Sequence, residues 1–432
     1  MLTRLNIFPL LLPLSLIGCA PDPDLEEAEA SSALFQAAVV SQRVDSVLVS
    51  IPDAPRLAVE FADIRLRIGA ATQDSSHAFG RVTDLVEGDD GRFYVLDGGL
   101  REVVALGANG EILWRSGERG RGPGAFEAPQ QLLWLPWARE LAVWDPALQR
   151  VTVLASDGSI KSTHALATST DLFGFESELS RPAARIAVLN DGYLLEMRSN
   201  ALKVPVGQQR AHLVRLGSDF KVRDTLRSVL TGQTAVVVRK DATSEQRQST
   251  PPQIFSPRPH WQVLSNGEVV VAGSGRYEMT IIDTASTTDQ RVVVSAPVEA
   301  VTRDDRLTYI RARPERERGG APVVVLERIG RKRFALLRPA VTDLRAGPSA
   351  TFWVRRFESQ NDPDRWRSRE VDIFDHQGSW VGGLMLPAGV HPICVSASRV
   401  YALLIDSVGA ESVGVFPNPF ASTSVRATNL NQ

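Results

Sequence analysis

The feature that most constrains this chain is that it repeats itself. The tetrapeptide VTDL, Val82 to Leu85, returns as Val341 to Leu344, and at that one spacing Phe93 and Val95 also meet Phe352 and Val354. Unrelated strands would not agree at so many positions under a single offset. A shorter spacing lays "DDGRFYVLDGGLREVVALGANGEIL" on "ARELAVWDPALQRVTVLASDGSI", matching Asp97, Gly110 and Ile112 to Asp145, Gly158 and Ile160. The recurring order is turn, strand, Asp, strand, turn, strand. Gly192 in "LNDGYLLEM", Gly267 in "LSNGEVVVA", and Arg399 and Tyr401 in "SRVYALL" mark further copies.

A period of about 40 to 50 residues built from four short strands describes a propeller blade. Six units fit, so the sequence predicts an all-β, six-bladed β-propeller over residues 43–420, with residues 421–432 as a tail. "ADIRLRIGAA" near the N-terminus reads as the strand that closes the last blade and hides the edges an open repeat would expose. The spacing jumps between the third and fourth units and between the fourth and fifth, which requires insertions there. The first, "GQTAVVVRKDATSEQRQSTPPQIFSPRP", reads as a Ser-, Gln- and Pro-rich loop. The second, "VTRDDRLTYIRARPERER", reads as a short helix with Thr302 and Asp305 as its capping box and Pro314 as its stop.

The N-terminus, "MLTRLNIFPLLLPLSLIGCAPDPD", carries one Arg4 and an apolar run from Ile7 to Ile17. That run is too short and too rich in proline to span a bilayer, which takes about 20 helical residues, and it reads as a signal peptide over residues 1–18. Leu16, Ile17, Gly18 and Cys19 resemble the lipobox of bacterial lipoproteins. The resemblance implies cleavage before Cys19, diacylglycerol on its thiol and a membrane-held body; Ala20 after the cysteine points to the outer membrane of the cell envelope. Residues 19–42, acidic and without periodicity, read as a flexible tether.

Net charge is −2 and no basic stripe is interleaved with aromatics, so nucleic acid is excluded as a partner class. The runs "RARPERERGG" and "RIGRKRF" read as solvated surface. Two cysteines, Cys19 and Cys394, cannot build a disulfide framework, and Cys394 in "HPICVS" reads as a small buried hydrophobe. A monomer is expected.

Asp90, Gly91, Tyr94, Val95 and Asp97, with the Gly117 to Phe126 linker "GERGRGPGAF", resemble the NHL-repeat type of bacterial six-bladed propeller lipoproteins. That resemblance implies a fold and a location, and no established activity. The glycine-rich linker lacks the Gly-Lys-Ser/Thr of a phosphate loop, so it reads as a connection between blades, and Asp97 and Asp145 read as turn-capping groups. Trp134, Trp137, Trp144, Trp261 and Trp353 fit either the wedge between blades or stacking on a sugar or peptide.

The candidate site follows from the repeat. Carrying the position of Asp84 into each blade gives Leu132, Arg185, His260, Asp343 and His391. The first strand of a blade is innermost, so these residues ring the central channel. Asp84, Arg185, His260, Asp343 and His391 are the candidate ligand-binding residues. Among them Asp84, His260, Asp343 and His391 offer carboxylate and imidazole suited to a divalent metal; no other cofactor is indicated. The function expected is an envelope-anchored binding or scaffolding module for a protein, peptide or glycan. The alternative is a metal-dependent propeller enzyme of the lactonase or peptidyl-lyase kind. Hydrolase elbows, His-Glu-x-x-His and Cys-x-x-Cys are absent.

Overall fold

A computed structural model describes residues 44–51, 56–69, 78–166, 179–199, 210–230, 236–240, 245–249, 253–256, 258–273, 275–284, 289–312, 334–358, 367–406 and 409–421. Cys19, the signal peptide, the tether and Pro314 lie outside them. The described chain forms six blades around one axis. Blades 1, 2 and 3 (residues 82–116, 131–165 and 179–230) are four-stranded meanders. Blades 4 and 5 (260–294 and 341–385) each carry a fifth strand, and blade 6 (390–417) takes its outermost strand from Leu66–Ile68.

That last pairing is the closure expected from the sequence. Leu66, Arg67 and Ile68 run antiparallel to Val415, Gly414 and Val413. The same N-terminal segment does more than close the ring. Val44–Val49 adds a parallel strand outside Asp289–Val294 of blade 4, and Leu57–Ala58 adds one outside Trp380–Met385 of blade 5. Arg56 holds it there through ion pairs to Asp372 (2.8 Å) and Glu370 (3.0 Å). Tyr277 of blade 4 donates its hydroxyl to the same Asp372 at 2.8 Å.

Each seam between neighbouring blades has its own apolar core. Leu96, Leu141 and Val143 fill the seam of blades 1 and 2. Phe93, Tyr401 and Val413 fill the seam of blades 6 and 1, where the ring closes. Trp144, Trp261 and Trp353 are almost wholly buried in three of these wedges. Trp134 stacks on Tyr94 across another seam, while Trp137 stays exposed.

Buried carboxylates knot the strands to the linkers. Asp97, wholly buried, accepts backbone N–H groups from Gly80 (2.7 Å), Arg81 (3.0 Å), Gly99 (2.9 Å) and Leu100 (2.9 Å). Asp145 repeats this on Glu127, Ala128, Ala147 and Leu148. The linker itself is structural: Gly117 has φ +109, and a Cβ there would meet the Phe126 ring at 2.6 Å.

The repeated VTDL has a geometric meaning. In blade 1 the strand ladder skips a residue between Val82 and Asp84, and in blade 5 it skips between Val341 and Asp343. The same bulge therefore sits at Thr83 and at Thr342, whose hydroxyl donates to the Arg356 carbonyl at 2.8 Å. A bulge re-aims the next side chain, and that side chain is the aspartate of the candidate ring.

Antiparallel meanders send the first-to-second and third-to-fourth connections to one end of the propeller. All other connections go to the opposite end. The first end is built from tight turns: residues 88–92, 107–111, 155–159, 217–221, 264–268 and 375–379 share one pair of backbone hydrogen bonds. Their fourth residue is left-handed, as at Gly91 (φ +76). The other end, hereafter the loop end, carries both insertions.

The first insertion departs from the expected loop. Val236–Lys240 pairs with Glu245–Ser249 as a hairpin, since the β-branched "VVVR" run outweighs the polar residues around it. The second contains the expected helix, α1 (Arg303–Ala312), capped as anticipated: the Asp305 carboxylate accepts from Thr302 N and Oγ1, and Asp305 N donates to Thr302 Oγ1. The two insertions pack together. Phe255, Val301, Ile310 and Phe334 form a small core that rests on Phe357 of blade 5, and Arg338 clamps it by binding both Asp305 oxygens at 2.8 and 2.9 Å.

Replacing Asp97 with Ala strands several buried N–H donors at once, and each costs about 1–3 kcal/mol. A loss of about 3 kcal/mol or more is expected in urea unfolding; a loss below about 1 kcal/mol would show that the knot does not hold the blade.

Candidate functional site

The inner strands deliver the candidate residues to the loop end of the channel, and most of them meet. Asp343, buried, lies between two guanidiniums: Arg345 Nε is 3.3 Å from each carboxylate oxygen, and Arg367 Nη1 is 3.5 Å from Oδ2. His260, from the neighbouring blade, senses Asp343 together with Arg185, Arg367 and Arg345. Arg185 lies on the Trp261 ring, 5.1 Å from its centroid. His391, buried, accepts a hydrogen bond at Nδ1 from Arg355 Nη1 (3.1 Å). A guanidinium has no acceptor, so this contact fixes the His391 ring with its proton on Nε2.

Asp84 is tied differently. Its Oδ2 accepts the Leu132 N–H at 2.9 Å, stitching blade 1 to blade 2. The equivalent stitch from blade 2 to blade 3 is made by Gln131, whose Oε1 accepts the Ile186 N–H at 2.8 Å. Leu132 is buried in the apolar seam instead. Blade 2 turns from its first strand to its second in one residue fewer than blade 1, so the equivalent position moves by one. Gln262 donates to the Leu344 carbonyl (2.8 Å) and Arg345 to the Ile393 carbonyl (3.3 Å), continuing the same stitching.

Electrostatics follow from this packing. Burial alone would raise the Asp343 carboxyl, but Arg345, Arg367, Arg355 and His260 together hold it well below the ordinary carboxylate range. Burial pushes His260 down to about 3, helped by Arg185, Arg367 and Arg345 and opposed by Asp343, so the ring is neutral near pH 7. Burial also lowers Arg355, to about 10. Asp84 moves the other way: burial lifts it, against the Leu132 N–H and the charges of Arg345 and Arg185. Cys394 is half-buried against the seam of blades 6 and 1, and burial lifts its thiol to about 12, opposed by the hydrogen bond at the Glu87 backbone.

The metal expectation requires three or more of Asp84, His260, Asp343 and His391 to converge as ligands. Among the described residues no group of three or more His, Cys, Asp or Glu side chains is placed to hold a metal ion. Arginines stand between them: Asp343 faces Arg345 and Arg367, and His391 faces Arg355. Among the described residues, the side chains around Asp343 and His391 do not fit a metal centre.

Sequence reasoning missed Arg345, Arg355 and Arg367. Arg345 was within reach, since it lies two residues beyond Asp343 on the same face of the strand. Arg355 follows from the register that pairs it with Asp343. Arg367 opens the third strand of blade 5, and no local pattern announces it.

No protein-family profile matches the chain, and no curated protein matches it. Among solved structures it is similar to a Bacteroides fragilis protein named as a candidate exported protein, at 11% identity and TM-score 0.45, covering 86% of this chain and 100% of that one. It is also similar to virginiamycin B lyase from Staphylococcus aureus (10% identity, TM-score 0.40, 82% and 98% covered). A gluconolactonase from Xanthomonas campestris matches at 11% identity and TM-score 0.40, covering 85% and 96%. At such distances these likenesses say nothing about activity.

His260 also sets a pH dependence. Its folded value is depressed, so between about 3 and its ordinary 6.5 the unfolded chain binds more protons and stability falls as the pH falls. The slope is at most about 1.4 kcal/mol per pH unit. His260→Asn is expected to flatten stability between pH 6.5 and 4.5 relative to the parent; comparing the two cancels the opposite contribution of Asp84. Parallel curves for parent and variant would place His260 in solvent.

Proposed function

We propose that this protein is a lipid-anchored binding module of a bacterial envelope that engages a peptide or glycan ligand at the loop end of its channel. The observation that carries the reading is the asymmetry of the two ends. At one end the strands are joined by short turns, six of which share one hydrogen-bond pattern. The other gathers the linkers, the packed insertions and the charged cluster at the starts of the inner strands. Loops raised on a rigid scaffold are where binding function concentrates. Phe357, which supports the insertion core, pairs in register with Arg367, whose guanidinium reaches Asp343, so the insertions and the cluster are mechanically joined.

The anchor rests on Cys19 and the lipobox before it. Cys19→Ser is expected to move the protein from the membrane fraction to the soluble envelope fraction. An unchanged distribution would remove the lipid from the account.

Oxidative footprinting of the protein in intact envelopes against the extracted protein tests the face. Leu100 and Val298 report the loop end, and Trp137 and His376 the turn end; Leu100, Val298 and Trp137 are 52%, 42% and 46% exposed. Protection confined to Leu100 and Val298 is expected. Protection at Trp137 and His376, or none at either end, would contradict the reading.

A further inference from the structure

Exposed apolar side chains are not spread evenly around the ring. Among the described residues nine large hydrophobics are exposed, and four of them lie in the N-terminal segment outside blades 4 and 5: Val47 (37%), Leu48 (76%), Leu57 (51%) and Phe61 (57%). Single exposed apolar residues are ordinary, whereas several on one short segment mark a contact. These residues are also held firmly. Val47 and Leu48 pair with Val292 and Val293 of blade 4, and Leu57 pairs with Leu384 of blade 5. Arg56 fastens the chain beside Leu57 through Asp372 and Glu370.

The same segment is where the chain arrives from Cys19. Val44, the start of the outermost strand of blade 4, stands 25 residues after that cysteine. Fully extended, such a length reaches at most about 85 Å, enough to bring any face of the ring to a bilayer, so the body's own surface selects the face. In a six-bladed ring the rims of two neighbouring blades form one side of a hexagon, which can lie flat on a plane. Blades 4 and 5 supply such a side. Charge does not oppose it: between Val44 and Ile68, Asp45, Asp53, Glu60 and Asp63 stand against Arg56, Arg65 and Arg67. That near balance brings no polybasic attraction to an anionic leaflet, so the contact is apolar. Val44–Val49 is an edge of its sheet among the described residues, and its outward N–H and C=O groups need polar partners, which headgroups provide and hydrocarbon does not.

We propose that the outer rim of blades 4 and 5, presented by Val47, Leu48, Leu57 and Phe61, is a bilayer-docking surface, resting at the boundary of headgroups and acyl chains in the leaflet that holds the Cys19 lipid. The inference rests on the anchor in the reading above and goes beyond it by fixing an orientation. With this rim on the membrane the channel axis lies along the membrane plane, and the loop end stays open to a ligand. A shallow apolar contact beside a lipid chain adds a second hold to the first.

The test is photolabelling of the lipidated full chain in vesicles of phosphatidylethanolamine and phosphatidylcholine carrying a lipid with a diazirine near the top of its acyl chain, read by peptide mass spectrometry. Leu113 and Ile160, on the outer strands of blades 1 and 2 across the ring, are the internal control, exposed at 42% and 43%. Labelling of residues 44–63 about fivefold or more above these two is expected, and it is expected to persist in high salt. Leu48→Ser combined with Phe61→Ser is expected to lower that label about threefold or more while the protein stays with the vesicles; the parent's pattern decides the matter even if this variant fails to fold. Label spread evenly around the rim, concentrated on blades 1 and 2, or absent from residues 44–63 of anchored protein overturns the inference and leaves the anchor standing. Absence of label with the segment equally protected in the extracted chain assigns the rim to the chain's own N-terminus or, where the chain elutes as a dimer, to a second copy. A protein that Cys19→Ser does not release removes the anchor, and this inference with it.

Discussion

Everything in this molecule depends on a short antiparallel contact, Leu66–Ile68 against Val413–Val415. A propeller has no core at its centre. Its apolar surface is buried in seams between blades, and six blades need six seams. Without the N-terminal strand the last blade keeps an open edge, and the seam of Phe93 with Tyr401 loses Ile68 from its packing. Closure is also reinforced side by side: Glu411 accepts the Val82 N–H at 2.7 Å and Glu87 accepts the Tyr401 hydroxyl at 2.8 Å. The strands outside blades 4 and 5, with Arg56 on Glu370 and Asp372, spread that fastening over half the ring.

Closure is what brings distant residues to one mouth. Asp84 and Asp343 occupy equivalent bulged strands, yet they do different work because their neighbours differ. Asp84 meets a backbone N–H and is lifted by burial. Asp343 meets two guanidiniums and stays ionised. Among the described residues, arginines pack the polar groups of the inner strands: Arg345 and Arg367 on Asp343, and Arg355 on His391.

The architecture was legible because blades repeat. The turn glycines, the buried aspartates and the closing "ADIRLRIGAA" strand each sit where a four-stranded unit requires them. Thr302 with Asp305 marked the start of α1, since a capping box is a local signal. The site was legible only in part. Counting one offset across a bulged or shortened hairpin slips by a residue, which is why Leu132 stood in for Gln131. Arg367 enters from a third strand, where spacing carries no information about the channel. The hairpin in the first insertion was hidden because its "VVVR" strand is embedded in polar, proline-rich sequence. The parallel strands Val44–Val49 and Leu57–Ala58 pair with residues far away in the chain, and nothing near them announces the partner.

The most direct measurement is hydrogen–deuterium exchange across the closing blade of the full chain. Held between Arg399–Ile405 and Leu66–Ile68, the Val413–Val415 amides are required to exchange as slowly as those of Phe93–Asp97, the second strand of blade 1. Exchange at Val413–Val415 as fast as at an unpaired edge would mean that the ring is open, and the gathering of Asp343, Arg345, Arg367 and His260 at one mouth would fail with it.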